Sequence, residues 1–388
     1  MVAETGRKRL LILSFSQIHR DARVLRQIAL LKDEYEVTTC GFGPSPSADV
    51  EHLEVKGTVR SWDGRALALR LYRLTLWTRP GIREARRLLR GRTFDVVLAD
   101  EEIAAPVALK VRPTDGVLVD LHEYHSRVLG PETYWHRRAR PYIEWMIRTY
   151  VAKADAWTTV GSGLAEEYER EFGFRPEVVR NTTPYYDQAV QETAWPPRLV
   201  HSGSAVRRRR LEWMIDGVAQ ATNGATLDLY LVKSDPQYFA ELEERAASTG
   251  GRVRVLPPVS YAELMPTVAR YDVGLSVLAT GTFNLLWSLP NKLFDFIQGR
   301  LATIVGPSPE MARLVREVGH GVVADDFTPE AIAATIDALT KERIDAYKRV
   351  ADANARRLSA EVENEGWLRA LLGLAENGAA RRGKGRGR

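Results

Sequence analysis

Apolar residues in the first half of the chain occur in short runs, and a stretch with helical spacing follows most of them. The runs are five or six residues long, which suits strands that are buried on both faces of a parallel sheet. They cover residues 10–15, 35–40, 94–99, 117–121 and 156–160. This alternation of strands and helices predicts a doubly wound α/β domain over residues 1–185.

The pattern starts again at residue 198, after a segment with little periodicity. Residues 186–197 include Trp195 and two prolines, and we expect them to form a linker between two domains. A second α/β domain is predicted over residues 198–345. Its expected strands are residues 198–202, 226–232, 253–256, 273–277 and 303–305.

The end of the chain departs from this alternation. Residues 346–375 have helical spacing and are predicted to form helices that cover the core. The basic segment 376–388 ends without an apolar residue to bury, so we expect a disordered tail.

The stretch 284–296 combines a polar, loop-like first half with a helix whose expected start lies near Pro290. A loop that leads into a helix N-terminus gathers free backbone N–H groups, which favours an anion such as a diphosphate. Asn291, Lys292 and Asp295 add a donor, a positive charge and a carboxylate. A diphosphate-linked sugar nucleotide requires all three kinds of group.

A second group of polar residues follows the run 117–121. Asp120, His122, Glu123 and His125 lie at the expected carboxyl end of this strand, which is the edge where open α/β sheets bind ligands.

Composition agrees with a two-domain globular protein. The chain has 388 residues, of which 45% are hydrophobic and 27% are charged, and this length is expected to divide into two cores. No apolar run is long enough to span a membrane, and residues 1–9 lack the apolar centre of a signal peptide. Cys40 is the single cysteine, which excludes internal disulfides. We therefore expect a cytoplasmic protein.

The net charge of +5 is unevenly distributed. Residues 65–92 contain nine arginines and one acid, Glu84, interleaved with leucines. Such a basic amphipathic surface predicts peripheral contact with an anionic membrane at its inner face. The alternative is a solvated helix that packs on its own domain. The basic tail has no interleaved aromatic residues, so no specific nucleic-acid binding is predicted.

Several chemistries are excluded by missing motifs. The first strand is not followed by the glycine-rich loop of a dinucleotide site, and the chain has no G-x-S-x-G, H-E-x-x-H or Asp-x-Asp sequence. We therefore expect neither a cofactor nor a metal ion. The charge of a bound diphosphate has to be neutralised by side chains of the protein.

The order and spacing of several motifs resemble the family-four retaining glycosyltransferases, over residues 9–330. In the first half the matching segments are residues 21–24, 120–124, 160–164 and 179–181. In the second half they are residues 200–203, 271–275, 288–296 and 319–321.

This resemblance implies a GT-B fold, in which two Rossmann-like doubly wound domains face each other across a cleft. The first domain approaches the acceptor and the second binds the donor, a nucleotide-diphosphate sugar. The implied reaction transfers the sugar to a hydroxyl of a small-molecule, glycan or lipid-linked acceptor with retention of configuration and without a metal. The helices in 346–375 are expected to cross back to the first domain.

The resemblance also implies roles for individual residues. A catalytic role near the transferred sugar falls to His122, and charge stabilisation of the diphosphate falls to Lys292 and to Arg209 or Arg210. Asp295 matches an acid that binds the nucleotide ribose. The other expected donor-binding residues are Gly203, Ser204, Asn284, Leu289, Pro290, Asn291 and Glu310. On the acceptor side they are Asp21, Glu123 and His125.

Two residues depart from the family pattern. Trp287 stands where the family has its first acid, and Ser204 stands where an arginine is common. The second departure weakens the binding of the diphosphate unless Arg207 or Arg208 compensates. Two alternatives to the transferase therefore stay open. One is an epimerase or hydrolase that acts on the sugar nucleotide, and the other is a non-catalytic sugar-nucleotide-binding partner of a glycosyltransferase.

Overall fold

The chain forms two α/β units in the computed structural model, which describes residues 6–60, 64–127 and 135–385. The side chains of residues 135–136 and 377–385 are not described. One unit comprises Met1–Arg180 and Asn364–Arg388, and the other comprises Asn181–Glu363. Each contains a parallel sheet, which confirms the predicted pair of α/β domains.

The first unit is built on a seven-stranded parallel sheet with the order β3-β2-β1-β4-β5-β6-β7. Its central strands consist of apolar residues that are buried on both faces, as the short runs predicted. The strands are β1 (Lys8–Gln17), β2 (Tyr35–Phe42), β3 (Glu51–Glu54), β4 (Val96–Asp100), β5 (Gly116–Leu121), β6 (Ala156–Thr159) and β7 (Glu177–Val178).

Helices connect these strands and pack on the sheet. They are α1 (Ala22–Leu31), α2 (Gly64–Ala68), α3 (Tyr72–Trp77), α4 (Pro80–Leu88), α5 (Ala105–Val111), α6 (Arg140–Thr149) and α7 (Ser162–Phe172). A last helix, α17 (Glu365–Gly385), returns to this unit. Its Trp367 is fully buried against Leu10, Leu118 and Val179, so the chain end contributes to this core.

Part of the segment 376–388, which was expected to be a disordered tail, belongs to the helix α17. The helix continues to Gly385, and residues 386–388 lie outside the described part of the chain. In the described residues, no helix combines the length and the apolar character that a membrane span requires.

The second unit contains a six-stranded parallel sheet with the order β10-β9-β8-β11-β12-β13. The strands are β8 (Arg198–Ser204), β9 (Thr226–Val232), β10 (Val253–Leu256), β11 (Val273–Ser276), β12 (Ala302–Val305) and β13 (Gly321–Val323). The helices are α8 (Glu212–Gln220), α9 (Pro236–Ala247), α10 (Tyr261–Val268), α11 (Phe283–Leu286), α12 (Lys292–Gln298), α13 (Pro309–Val318), α14 (Pro329–Asp337), α15 (Lys341–Ala355) and α16 (Ala360–Glu363).

The structure contains elements that the apolar pattern did not predict, among them β3, β13 and α11. β3 and β13 are short outer strands with few buried residues, so they lack the continuous apolar run of a central strand. The helix α11 forms one turn inside the stretch that was expected to be a loop. Its N-cap is Thr282, whose side chain accepts a hydrogen bond from the Leu285 amide at 3.3 Å.

Candidate functional site

The first cluster of polar side chains lies at the carboxyl edge of the N-terminal sheet. Asp100 ends β4, and the parallel register places Asp120 of β5 beside it. His122 follows β5 directly. Neighbouring parallel strands end at the same edge, so residues about 20 positions apart in sequence become contacts.

Asp120 is completely buried and anchors this cluster. Both of its oxygens accept hydrogen bonds from the Arg23 guanidinium at 2.7 Å. Gln27 and Thr158 donate to the same carboxylate at 2.8 and 2.6 Å. Burial alone raises the pKa of Asp120, but Arg23 and His122 outweigh it and hold this pKa well below its usual range.

His122 is surrounded by three carboxylates. Its Nε2 lies 3.0 Å from Asp120 and 3.4 Å from Asp100, and its Nδ1 lies 3.2 Å from Glu101. Burial favours the neutral ring, but these negative charges dominate and raise the pKa of His122 to about 10. Both ring nitrogens therefore carry protons at neutral pH, and this imidazolium cannot act as a general base.

His125 repeats this arrangement. Its Nδ1 lies 2.9 Å from Glu102 and 3.3 Å from Glu101. Although burial opposes the charged ring, the two carboxylates raise the pKa of His125 well above its usual value.

A cavity of about 560 Å³ opens beside these residues. His122, His125 and Asp21 line it together with apolar side chains, which include Phe15, Ile103, Ile143 and Met146. Asp21 also caps α1, because its carboxylate accepts hydrogen bonds from the amides of Arg23 and Val24 at 3.0 and 3.3 Å. Glu123 is exposed and does not line the cavity.

The cluster contains two groups with metal-ligating atoms within 4.8 Å of one another. These groups are Asp100, Asp120, His122 and Glu101, Glu102, His125. In the first group a cation would have to compete with Arg23 for Asp120. In the second it would have to displace the proton that Glu102 stabilises on His125. Ion pairs involve both groups, and one buried oxygen of Asp100, Oδ2, has no hydrogen-bond partner among the described residues.

The second cluster lies in the C-terminal unit, around Gly203 near the end of β8. A Cβ atom on Gly203 would lie 3.0 Å from Lys292 Nζ, 3.5 Å from Arg209 Nη1 and 3.6 Å from His201 Nε2. Three nitrogen atoms therefore converge on the space that this glycine leaves open. A side chain would fill that space, which explains the need for glycine at the position.

His201 orients Lys292. It is fully buried, and its Nδ1 lies 2.8 Å from the carbonyl oxygen of Leu275. That carbonyl requires an N–H at Nδ1, so Nε2 is left to accept a hydrogen bond from Lys292 Nζ at 3.1 Å. Burial and the nearby Lys292 keep the pKa of His201 well below its usual value, so the ring is neutral.

Lys292 is 8% exposed and no carboxylate forms an ion pair with it in the described part of the chain. Burial, reinforced by Arg209, lowers the pKa of Lys292 to about 7, although Asp295 opposes the shift. A negative charge placed beside Nζ would favour the charged ammonium.

The structure distinguishes the four consecutive arginines. Arg207 forms a bidentate ion pair with Glu241, and Arg210 is directed toward Glu212 at 3.4 Å. Arg209 instead points toward Gly203, and its buried Nε atom has no hydrogen-bond partner among the described residues. Arg209 is therefore the one of these three arginines that approaches Lys292 at Gly203.

Asp295 lies in the first turn of α12 and is buried. Its carboxylate accepts a hydrogen bond from the Thr183 hydroxyl at 2.5 Å. Burial raises the pKa of Asp295 to about 6, against the opposing effects of Thr183 and Lys292. The ribose role expected for Asp295 remains a prediction.

The start of α12 differs from the expected array of free amides. The amides of Leu293, Phe294 and Asp295 donate within the chain, to carbonyl groups of Pro290 and Asn291, at 2.9 to 3.1 Å. Positive charge at this site is therefore supplied mainly by side chains.

The other predicted donor residues are distributed around these elements. Ser204 ends β8, Asn284 lies in α11, and Glu310 is buried in the first turn of α13. Leu289 is buried, and Asn291 is exposed.

Comparison with known proteins places the fold. Residues 24–183 match the model of Glycosyltransferase Family 4. No curated protein matches the chain in sequence. Anabaena HepE, solved in complex with UDP and glucose, superposes with a TM-score of 0.63 at 15% identity, over 94% of this chain and 99% of that one.

Two further structures agree over nearly the whole chain. The UDP-forming α,α-trehalose-phosphate synthase of Burkholderia vietnamiensis gives a TM-score of 0.65 at 12% identity, over 96% of this chain and 99% of its own. Sucrose-phosphate synthase of Thermosynechococcus elongatus gives a TM-score of 0.61 at 15% identity, over 98% of this chain and 100% of its own. The chain has a GT-B fold and resembles the family-four glycosyltransferases.

Within this GT-B protein, sequence reasoning missed Glu101, Glu102 and His201. The two glutamates follow Asp100 at the end of β4, so an acidic run after a buried strand was the available signal. His201 carried no such signal, because it lies inside the β8 strand and its partner is 91 residues away.

Proposed function

We propose that this protein is a metal-independent, retaining glycosyltransferase that uses a nucleotide-diphosphate sugar and requires no cofactor besides that donor. The observation that carries the proposal is the convergence of Lys292, Arg209 and His201 on Gly203. In the described residues neither Lys292 nor Arg209 is ion-paired to a carboxylate, so these two cations fit a diphosphate, and Lys292 supplies the charge that Ser204 cannot. The structural neighbours include a complex with UDP and a UDP-forming synthase, which favours a UDP-sugar as donor.

The proposed reaction transfers the sugar to an acceptor hydroxyl. The bond between the anomeric carbon and the donor phosphate breaks, and the acceptor oxygen bonds to the same face of the sugar. The acceptor proton moves to the departing phosphate oxygen, whose negative charge Lys292 and Arg209 stabilise. The N-terminal unit binds the acceptor in the cavity that His122 lines, where the carboxylates of Glu101 and Glu102 can accept hydrogen bonds from its hydroxyl groups.

Gly203→Ala tests the donor site directly. The new methyl group would lie 3.0 Å from Lys292 Nζ, so binding of UDP-glucose and sugar transfer should both be lost. Gly251→Ala is the matched control, because Gly251 also has a positive φ and nothing lies within 4 Å of its added Cβ. Calorimetric titration with UDP and UDP-glucose measures binding. Unchanged binding by Gly203→Ala would exclude this placement of the diphosphate.

Metal independence has a separate test. Transfer by the purified protein should be unchanged after treatment with EDTA and removal of the chelator. Loss of transfer that Mg²⁺ or Mn²⁺ restores would contradict the metal-independent mechanism and would point to the carboxylates around His122 and His125 as ligands.

A second candidate function is a non-catalytic sugar-nucleotide-binding partner. It is favoured by Trp287, whose ring lies 6.3 Å from the Phe283 ring and cannot accept a hydrogen bond from a sugar hydroxyl. Donor binding without turnover over a broad panel of acceptors would support this function. An epimerase or hydrolase is less favoured, since the compared structures include two sugar-phosphate synthases.

A further inference from the structure

A groove of about 960 Å³ on the N-terminal unit shares no lining residue with the cavity beside His122. Its walls carry seven basic side chains and a single acid, Glu84. The basic residues are Lys56, Arg83, Arg86, Arg87, Arg90, Arg92 and Lys110. This excess of one charge extends over the length of α4.

Internal pairing satisfies only part of this charge. Arg87 binds Glu84 at 2.7 Å, and Arg92 binds Glu51 at 2.8 Å. Arg86 packs over the ring of Trp77, 4.8 Å from its centroid. The other four basic residues form no hydrogen bond or ion pair through their side chains within the described ranges. They are Lys56, Arg83, Arg90 and Lys110.

Three separate elements bring the unpaired cations together. Arg83 lies on α4 and Arg90 follows its end, seven positions later, so both lie on one face of the helical path. The opposite face of α4 buries Ile82 and Ala85. Lys110 comes from α5 and Lys56 from the segment after β3.

Helix-dipole stabilisation explains only some of these residues. Arg86 and Arg87 lie in the last turn of α4, where a positive charge is favourable. Lys56 and Lys110 belong to other elements, and of the two only Lys110, in the last turn of α5, is stabilised by a helix dipole of its own. Their approach to Arg83 and Arg90 is repulsive unless an anion lies between them.

We propose that this groove binds a phosphate-bearing anion with at least two negative charges. Arginine and lysine side chains on opposite walls suit several phosphate oxygens at once. Such phosphates are carried by soluble polyphosphorylated molecules and by the headgroups of anionic lipids. The site is separate from the proposed donor site and does not depend on the transferase proposal.

The test compares two double charge reversals. Arg83→Glu with Arg90→Glu alters the groove, and Arg270→Glu with Arg349→Glu makes the same change in net charge at exposed positions of the C-terminal unit. Both are made in a Lys292→Ala chain, so that the donor site contributes little. Calorimetric titration with inorganic tripolyphosphate should show binding at least about tenfold weaker for the groove variant than for the control.

Equal binding by the two variants, or no binding by either, would overturn the proposal. Sedimentation with phosphatidylcholine vesicles that do or do not contain phosphatidylglycerol identifies the source of the phosphate. Loss of sedimentation with anionic vesicles in the groove variant assigns the groove to lipid headgroups. Tripolyphosphate binding without sedimentation of the unaltered chain assigns it to a soluble anion.

A stability measurement separates binding from folding. Without ligand, the reversals in the groove should raise the melting temperature, because they relieve repulsion between like charges. If they unfold the chain instead, Arg83→Gln with Arg90→Gln replaces them, and tripolyphosphate binding as strong as that of the control would then overturn the proposal.

Discussion

The two polar clusters differ in whether their charged side chains form ion pairs. In the N-terminal unit, Asp120 is bonded to Arg23, and His122 lies among carboxylates, so each buried charge has a partner of opposite sign. In the C-terminal unit, Lys292 and Arg209 approach the same open space with no carboxylate ion-paired to either in the described residues. One cluster is internally neutralised and the other is not.

This difference indicates separate tasks. A neutralised network of buried ions holds its side chains in fixed positions and presents a stable wall to a ligand. A buried lysine beside a half-buried arginine, with no ion-paired carboxylate in the described residues, destabilises the free protein, and an anionic ligand relieves that cost. The first arrangement agrees with the acceptor site proposed above, and the second agrees with the proposed diphosphate site.

The largest expected effect is on stability in the N-terminal cluster. Asp120→Asn removes the negative charge that compensates buried Arg23, so the free energy of unfolding should fall by about 3–5 kcal/mol. Thr158→Val is the control, since it removes only one hydrogen bond to the same carboxylate and should cost about 1 kcal/mol. Urea unfolding followed by circular dichroism gives both values. Equal losses for the two variants would contradict the description of a charge-compensated network.

The second prediction contrasts two buried lysines of the C-terminal unit. Lys348 lies 3.3 Å from buried Asp272, so Lys348→Met should lower the unfolding free energy by about 3 kcal/mol. Lys292→Met should change it by no more than about 1 kcal/mol, because Nζ of Lys292 is bonded to neutral His201 and no carboxylate in the described residues forms an ion pair with it. The same Lys292→Met change should reduce the rate of sugar transfer by about 10²–10³-fold. A Lys292→Met protein that is strongly destabilised but transfers sugar at the normal rate would contradict both expectations.

The third prediction concerns pH. The pKa of Lys292 is lowered from 10.5 to about 7 in the folded protein, so the unfolded chain binds more protons between these values. Stability should therefore rise with pH from about 7 to 10.5, and Lys292→Met should abolish this contribution. The affinity for UDP-glucose should fall over the same range, by up to about tenfold per pH unit, since the binding form of Lys292 is protonated. If stability and the affinity for UDP-glucose both rose, or both fell, between pH 7 and 10.5, this coupling through Lys292 would be refuted.

The smallest effect is expected for His201, which acts through Lys292. His201→Phe removes the acceptor at Nε2 and should weaken UDP-glucose binding by about tenfold. His201→Gln retains a side-chain acceptor and should recover part of the affinity. The pH dependence of binding is the decisive readout, because loss of this acceptor changes the environment in which Lys292 titrates. A profile identical to that of the unaltered protein would leave His201 with a purely structural role.

Much of the fold follows from the sequence. The run at 117–121 matches β5 (Gly116–Leu121) to within one residue, because this strand lies inside the N-terminal sheet and is buried along its whole length. β3 and β13 were missed, since short outer strands need no such run. A strand therefore leaves a recognisable apolar run in the sequence when it is buried, and leaves none when most of its residues are exposed or half-buried.

The sequence likewise predicted some features of the candidate site and not others. The sequence placed His122 and Asp120 at a ligand-binding edge, because residues that follow a parallel strand lie at a known end of the sheet. It did not show that both nitrogens of His122 face carboxylates, since Asp100 and Glu101 come from another strand.

By itself, the sequence determined two parallel-sheet α/β units, the order of their elements and the family resemblance carried by short motifs. Only the tertiary structure decided which arginine of residues 207–210 is available and that Lys292 meets His201 above Gly203. The reason is that charge compensation depends on neighbours in space. Arg23 and Asp120 are 97 residues apart, and Lys292 and His201 are 91 apart, so no local pattern records that the first pair is neutralised and the second remains positive.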